Sequence, residues 1–461
     1  MIDRVKYPEA TISDEEYSVI STTFDNHIVE GLPIFDPKDW KDINSKYDKE
    51  TIRQALIIYI IENECPFPYK NIVHGEVVRL FNRLREKSPF DFIKKVEEKK
   101  IGTIESRALC KYEDDMELFT KDGEYIINSR HQYNRGSDFF QQENRYACGT
   151  WAKKAPIDAW KDWKGLKSIL GPLWRMDKSK LNKDKYISGI RLGLYNATQF
   201  KPPVAKTMYD LFNCDVVFDI SCGWGDRLFG FYVSNASEYY GCDPNPDTYE
   251  KYKEQCKVYQ KILGDDYEMI EGDDNFTVIG KEKKVRIWNL PAEDLDYSLL
   301  PELDMVFSSP PYFATEKYAE DNKETQSWFR YEAHDSWQND FLYNVMDKCW
   351  TRLKDDGIMA INIIDGSIKG ERQDICKQMI DKYKGQYRTQ MGMVMSQRPN
   401  AVLQRYVDKI EGESNEEYTA RVAVFEKEVT GELPYIEPIY LFSNKEIKIR
   451  EQRQSIEDLF E

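Results

Sequence analysis

The chain has little of what anchors the commoner catalytic centres. Among 461 residues there are four histidines (27, 74, 131 and 334), and no two share metal-ligand spacing, so no metal is expected. The nine cysteines are odd in number, scattered and free of any CxxC pair. That argues against a disulfide framework and a zinc site, and for a reducing cytosol. No apolar run nears the ~18 residues of a membrane helix; the best, Ala55 to Ile61, is seven long. The first residues, Met1 to Lys6, lack the apolar stretch of a secretory signal, and a cytoplasmic protein is expected. Positive charge is scarce too: 65 Lys and Arg stand against 81 Asp and Glu, a net −16 that repels polyanions at long range. What remains is an ordinary globular composition, 41% hydrophobic and 32% charged, long enough for two or three domains.

Charge is uneven along the chain. Between Trp151 and Tyr186 lie ten Lys or Arg against four Asp, together with Trp151, Trp160, Trp163 and Trp174. A polyanion partner would be sought there, at Lys153, Lys154, Lys161 and Lys164. The neighbouring stretch 128–146 is rich in side chains that read base edges, including Arg130, Gln132, Asn134, Arg135, Gln141 and Arg145. The alternative for both stretches is solvated loop over core tryptophan.

Residues 1–190 read as mainly helical, with apolar periodicity at 51–63 and 75–86 and a turn-rich, aromatic stretch at 121–149. From Asn196 short β-rich runs alternate with helical segments, the pattern of a parallel α/β sheet. Strands are expected at 215–221, 238–243, 285–289, 303–308, 358–364, 387–395 and 438–442. Residues 397–434 would be an insertion between the last two, and 446–461 a charged surface helix. The expected domains are therefore 1–190 and 191–445.

Two motifs carry chemistry. The first strand runs into Asp219-Ile220-Ser221-Cys222-Gly223-Trp224-Gly225-Asp226. A strand, a glycine turn and a helix start form a nucleotide-sized crevice at a sheet's carboxyl edge. Asp243 ends the second strand, where an acid can grip ribose hydroxyls. Leu228 stands where a dinucleotide fingerprint needs its third glycine, which weakens a nicotinamide or flavin reading. Asp219 suits a cofactor bearing an ammonium group, and an ordinary tight turn remains the alternative. The second motif, Ser309-Pro310-Pro311-Tyr312, follows the fourth strand. Consecutive prolines fix the backbone and remove competing N–H donors. Ser309 and the Pro310 carbonyl can accept hydrogen bonds from an –NH2 group, and Tyr312 can stack on its ring.

Together these residues resemble the amino-methyltransferases of DNA, which modify adenine N6 or cytosine N4 with S-adenosyl-L-methionine. The resemblance implies a Rossmann-like class I methyltransferase sheet of seven strands, the last reversed, over residues 196–443. It implies that Asp219, Ser221, Gly223 and Gly225 form the cofactor loop and that Asp243 holds the ribose. Ala292 and Glu293 would flank the cofactor's adenine, and Phe200 and Lys201 lie in the segment closing over its methionine end. Ser309 to Tyr312 would be catalytic, acting on a base flipped from the duplex. Proteins of this layout are often carried by phages or mobile elements. The partner expected is DNA, contacted from the N-terminal region or, less favoured, from the 397–434 insertion. Ser309 in place of an acid is commoner among cytosine-N4 enzymes, whereas Phe313 and the aromatic loop 318–331 suggest a purine-sized pocket. Adenine N6 is favoured, with cytosine N4, RNA, a protein glutamine, or a non-catalytic nucleic-acid-binding role kept open.

Overall fold

Alternation of apolar strand and amphipathic helix from Asn196 onward builds nine of the eleven strands of the central sheet among the described residues. The protein is seen as a computed structural model, which describes residues 1–96, 124–127, 131–174, 176, 179–313, 316–365, 367–368, 371–372, 374–395, 410, 412–414, 416–418, 420–421, 424 and 436–447. The strands are β1 (Ile93–Val96), β2 (Glu124–Ile127), β3 (Val216–Asp219), β4 (Glu238–Cys242), β5 (Glu268–Glu271), β6 (Asn275–Ile279), β7 (Lys284–Trp288), β8 (Leu303–Ser308), β9 (Leu353–Asn362), β10 (Tyr387–Val394) and β11 (Ile436–Phe442). Their order is β1-β2-β10-β11-β9-β8-β3-β4-β7-β6-β5.

The central run β7-β4-β3-β8-β9 is parallel, and β11 enters antiparallel between β9 and β10. The seven expected strands are all present, with the last reversed. Two hairpins widen the sheet: β5–β6 beyond β7, and β1–β2 beyond β10. The β5–β6 hairpin escaped the sequence reading because its strands are short and its outer strand is mostly exposed. The chain order turns back between β3 and β8, and at such a switch point the loops diverge to leave a crevice. Helices cover the faces, so the inner strands read as near-continuous apolar runs.

The chain divides into two compact units. One comprises Met1–Val73, Phe139–Thr198 and Thr315–Lys323; the other, which holds the sheet, comprises His74–Asp138, Gln199–Ala314 and Glu324–Glu461. This differs from the expected division near 190, because residues 74–138 supply β1, β2 and a helix to the sheet unit. The aromatic stretch 121–149 is not all turn: Arg135–Tyr146 is a helix. In the first unit, the helix Lys49–Glu62 is buried nearly all round and forms the centre of a core with Trp160, Leu166, Ile169, Leu170, Tyr186 and Ile190. Of the expected insertion 397–434 only scattered residues are described, and the expected C-terminal helix lies outside the described residues beyond Ile447.

Candidate active site

The carboxyl end of β3 delivers Asp219 into a fully buried position. Its Oδ2 accepts from Arg227 Nε (2.7 Å) and the Tyr239 hydroxyl (2.8 Å); its Oδ1 accepts from the Ser308 hydroxyl (2.7 Å) and Ser221 N–H (3.2 Å). A carboxylate offers about four acceptor positions, and here all are taken. This corrects the expectation of an open counter-ion for an ammonium group. Asp219 is a hub that fixes the loop, and its burial is offset by a paired guanidinium. Arg227 also donates to the Ser221 carbonyl and lies over the Phe200 ring at 5.0 Å. Nothing in the sequence singled out Arg227 as the partner of Asp219; its neighbour Asp226 accepts from the Ser137 hydroxyl.

Above this hub the loop turns through two left-handed residues, Gly223 (φ +58°) and Gly225 (φ +69°). At Gly225 a Cβ would sit 2.2 Å from Gln255 Oε1, so both conformation and space demand glycine. At Gly223 a Cβ would meet nothing closer than 3.9 Å, so the backbone borders an open cradle. Gly223 N–H donates to Asp243 Oδ2 (2.8 Å), and the Tyr252 hydroxyl donates to the Gly223 carbonyl. Asp243 follows β4 and also accepts from Asn245 N–H (3.1 Å) and the Thr248 hydroxyl (3.2 Å). Burial pushes its carboxyl up to about 6, against the pull of those donors. Cys222 is buried beneath the loop with its thiol raised well above the ordinary range, so it is inert packing.

β8 ends beside β3, and the two expected motifs meet there. The Ser221 hydroxyl lies 3.1 Å from the Ser308 hydroxyl and donates to the Ser309 carbonyl at 3.1 Å. Ser309 Oγ is 3.3 Å from the Tyr312 hydroxyl, which reaches toward the Asn362 carbonyl at the end of β9 at 3.5 Å. Ser309, Pro311 and Tyr312 are half-buried and Pro310 is buried. Pro310 and Pro311 bring no N–H of their own, so neither competes with an incoming donor for the carbonyls of this loop. The next residue, Phe313, has φ +47°, a strained value for an aromatic residue, and donates its N–H to the Pro311 carbonyl at 3.0 Å.

Two further expected positions lie on the same edge. Ala292 and Glu293 form a buried turn after β7; Glu293 Oε1 accepts from the Tyr331 hydroxyl at 2.8 Å. Phe200 packs edge-to-face on Phe307 of β8 with centroids 5.5 Å apart. Lys201 caps the helix Pro202–Leu211 and donates to the Val394 carbonyl at the end of β10. Burial lowers its ammonium to about 8 although Glu437 pulls the other way, and burial raises Glu437 to about 7. The loop expected to line a purine pocket divides. Residues 318–323 belong to the other unit, and 325–331 lie against Pro244 and Glu293. Tyr331 packs on Phe341, which meets Trp337 and through it Phe313, the residue after the Ser-Pro-Pro-Tyr loop.

The expected nucleic-acid contacts fare unequally. Lys153, Lys154, Lys161 and Lys164 are exposed, with Lys154 paired to Asp162 at 2.8 Å. Of the four tryptophans nearby only Trp151 is exposed, at 61%; Lys317 lies over its ring at 4.3 Å. Trp160 is buried and donates to the Cys65 carbonyl, and Trp174 donates to Asn44. Arg135 forks onto Glu76 (2.7 and 2.9 Å), Arg145 is buried against Asn196, and Gln141 is buried. Those three are structural, which corrects the base-reading expectation at Arg135; Arg130 lies outside the described residues. Among the described residues, no group of three His, Cys, Asp or Glu could hold a metal ion, and no helix is long and apolar enough to cross a membrane.

No family model and no curated protein matches the sequence. Solved structures similar to the chain include a complex of Trm1 from Pyrococcus horikoshii with S-adenosyl-L-methionine (16% identity, 53% of this chain and 56% of that one, TM-score 0.28). Others are an rRNA methylase from Streptococcus thermophilus (13%, 54% and 100%, 0.28) and a SAM-dependent methyltransferase from Archaeoglobus fulgidus (14%, 53% and 95%, 0.28). The chain thus spans little more than half the length of the Trm1 structure, and at these scores the neighbours assign it no activity. The fold rests on the strand order itself: a Rossmann-like class I methyltransferase sheet with its seventh strand reversed.

Proposed function

We propose that the chain transfers a methyl group from S-adenosyl-L-methionine to the exocyclic amine of a DNA base flipped from its stack, adenine N6 in preference. The observation that carries this reading is the junction of the two motifs: Ser221 of the glycine loop holds the Ser309 carbonyl at 3.1 Å. A cofactor loop and an amine-accepting loop on adjacent parallel strands suit a reaction between a bound cofactor and a planar amine. The fit to the cofactor is supported by the open cradle at Gly223, the Asp243 carboxylate beside it, and the small Ala292 next to the Glu293 acid at the end of β7.

Bound S-adenosyl-L-methionine supplies an electrophilic methyl group. The chain's own residues act on the nucleophile. Ser309 Oγ and the Pro310 carbonyl accept hydrogen bonds from the two amine N–H groups, which favours a pyramidal nitrogen and stabilises the positive charge that develops as the S–CH3 bond breaks and the N–CH3 bond forms; the methylated nitrogen then loses one proton to solvent. Tyr312 stacks on the ring and fixes its plane, so that positioning supplies much of the rate. Asp243 accepts from ribose hydroxyls, while Asp219 and Arg227 keep the loop in place from below. The exposed Lys153, Lys154, Lys161 and Lys164 contact phosphates, neutralising the backbone locally despite the overall negative charge.

Ser309 favours a second reading, cytosine N4, because a hydroxyl lacks the charge with which an acid would stabilise a developing cation. Nucleoside digestion and mass spectrometry of treated DNA separate the two. N6-methyladenine is expected, and N4-methylcytosine in its absence would replace the first reading by the second.

A further inference from the structure

A hydroxyl sealed at the end of an apolar strand has to be explained by what it bonds. β8 closes on Ser308, fully buried and opposite Ile361 of β9. Left unbonded there, a hydroxyl costs stability that alanine would not. Ser308 bonds the Asp219 hub, and proton counting gives the direction. The Asp219 carboxylate only accepts, so Ser308 gives its single proton to Oδ1 at 2.7 Å. Its oxygen can then only accept from the Ser221 hydroxyl, 3.1 Å away. Ser221 has one hydroxyl proton and two acceptors for it, Ser308 Oγ and the Ser309 carbonyl, both at 3.1 Å. Asp219, Ser308, Ser221 and Ser309 therefore form one chain of hydrogen bonds whose members polarise one another.

The loop at the end of this chain is stiff. The rings of Pro310 and Pro311 fix their φ, and Ser309 and Pro310, each preceding a proline, are steered to extended backbone. Ser309 Oγ and the Pro310 carbonyl thus move together, as a lever pinned at the Ser309 carbonyl. We propose that Ser308 is a positioning residue for the amine: it carries the fixed geometry of the Asp219 hub through Ser221 to that pin, and so sets where the two amine acceptors lie relative to the cofactor loop. This rests on the function proposed above and adds to it a residue outside both motifs. A displacement of about 1 Å at a reacting group costs ~10²-fold in rate, so a small error at the pin is felt in turnover.

Comparison of Ser308→Thr with Ser308→Val in the full chain isolates the hydroxyl, because the two side chains have one shape and any crowding is common to both. Transfer of tritiated methyl groups to DNA should keep nearly its full kcat in Ser308→Thr and lose at least about tenfold in Ser308→Val, with KM for the cofactor unchanged. Affinity for S-adenosylhomocysteine, measured by calorimetry, should be alike in both. Ser221→Ala breaks the same chain one link further on, so adding Ser308→Ala to it should slow transfer no further. Should Ser308→Val fail to fold, as judged by circular dichroism, Ser308→Ala takes its place beside Ser308→Thr. Equal rates in the folded threonine and hydroxyl-free variants overturn the role of Ser308 and leave the proposed function standing. Affinity for S-adenosylhomocysteine falling in step with the rate assigns Ser308 to the cofactor loop alone and overturns it too, as do losses that multiply in the double variant. No transfer by the unaltered chain with cofactor bound overturns the proposed function, and this proposal with it.

Discussion

The carboxyl edge of the sheet and the basic segment 151–186 are both rich in polar and aromatic side chains, yet they use them differently. At the sheet edge, polar atoms from distant parts of the chain bond to one another: Asp219 with Ser308 and Arg227, Ser221 with Ser309, Asp243 with Gly223. In the basic segment, the tryptophans other than the exposed Trp151 pack on the core of their own unit, Trp160 donating to the Cys65 carbonyl and Trp174 to Asn44, and lysines are left on the surface. The first arrangement spends buried polar groups on holding loops in a defined shape, which a packed core alone does not require. The second stabilises a helical unit and leaves its charge solvated. Polar density along a sequence therefore says less than convergence of polar groups in space.

The comparison breaks most visibly at Ser309 and Tyr312. Ser309→Ala and Tyr312→Ala should each lower methyl transfer by ~10²-fold, the usual cost of removing one charge-stabilising or positioning group. Cofactor affinity, measured by calorimetry, should change far less. Full activity in Tyr312→Ala would remove the catalytic role from this loop. Gly225→Ala comes next. A methyl group at φ +69° facing Gln255 Oε1 at 2.2 Å should cost ~2 kcal/mol in a denaturant titration, more than Gly223→Ala, where φ is unfavourable but the space is open.

Asp243 sharpens the contrast through pH. Its carboxyl lies at about 6 in the folded chain against an ordinary 3.8, so the folded chain holds the proton more tightly than the unfolded one. By itself this group therefore favours folding at low pH, and that contribution is lost as pH rises from about 4 through 6. Ligand binding has the opposite sign, because ribose hydroxyls prefer the carboxylate. The dissociation constant for S-adenosylhomocysteine should be flat above pH 7 and rise by up to about tenfold per unit below 6. An Asp243→Asn variant should lose that dependence.

The smallest effects belong to the basic segment. Charge reversal at Lys153, Lys161 and Lys164 should reduce the slope of log K against log salt for DNA by ~0.9 per lost phosphate contact. Arg135→Ala should leave the slope alone and lower the melting temperature, since its fork holds Glu76. A slope unchanged by the lysine reversals would place DNA elsewhere on the chain.

The sheet was legible from its alternating runs because buried parallel strands are apolar and end in glycine and proline punctuation. Six of the seven core strands lie within two residues of their expected bounds, and β9 begins five residues earlier than expected. The glycine loop and the Ser-Pro-Pro-Tyr loop were legible for the same reason, since their backbone geometry demands particular residues. The partners that organise them were not. Arg227, Tyr239 and Ser308 are ordinary helix and strand residues until the sheet brings β3, β4 and β8 side by side. Arg330 and Tyr331, which contact Glu293, have no local signal, since they lie 37 and 38 residues from it in sequence. Arg135, Gln141 and Arg145 misled because a polar helix face looks alike in sequence whether it meets solvent, a nucleic acid or a buried acid.

Incubation of the full chain with S-adenosyl-L-methionine tritiated in its methyl group, and with DNA, RNA and protein supplied separately, tests the central claim most directly. Label should pass to DNA, appear as N6-methyladenine after digestion, and fall to background with Ser309→Ala. Label absent from DNA while the bound cofactor is confirmed by calorimetry, or label in RNA or protein alone, would contradict the account.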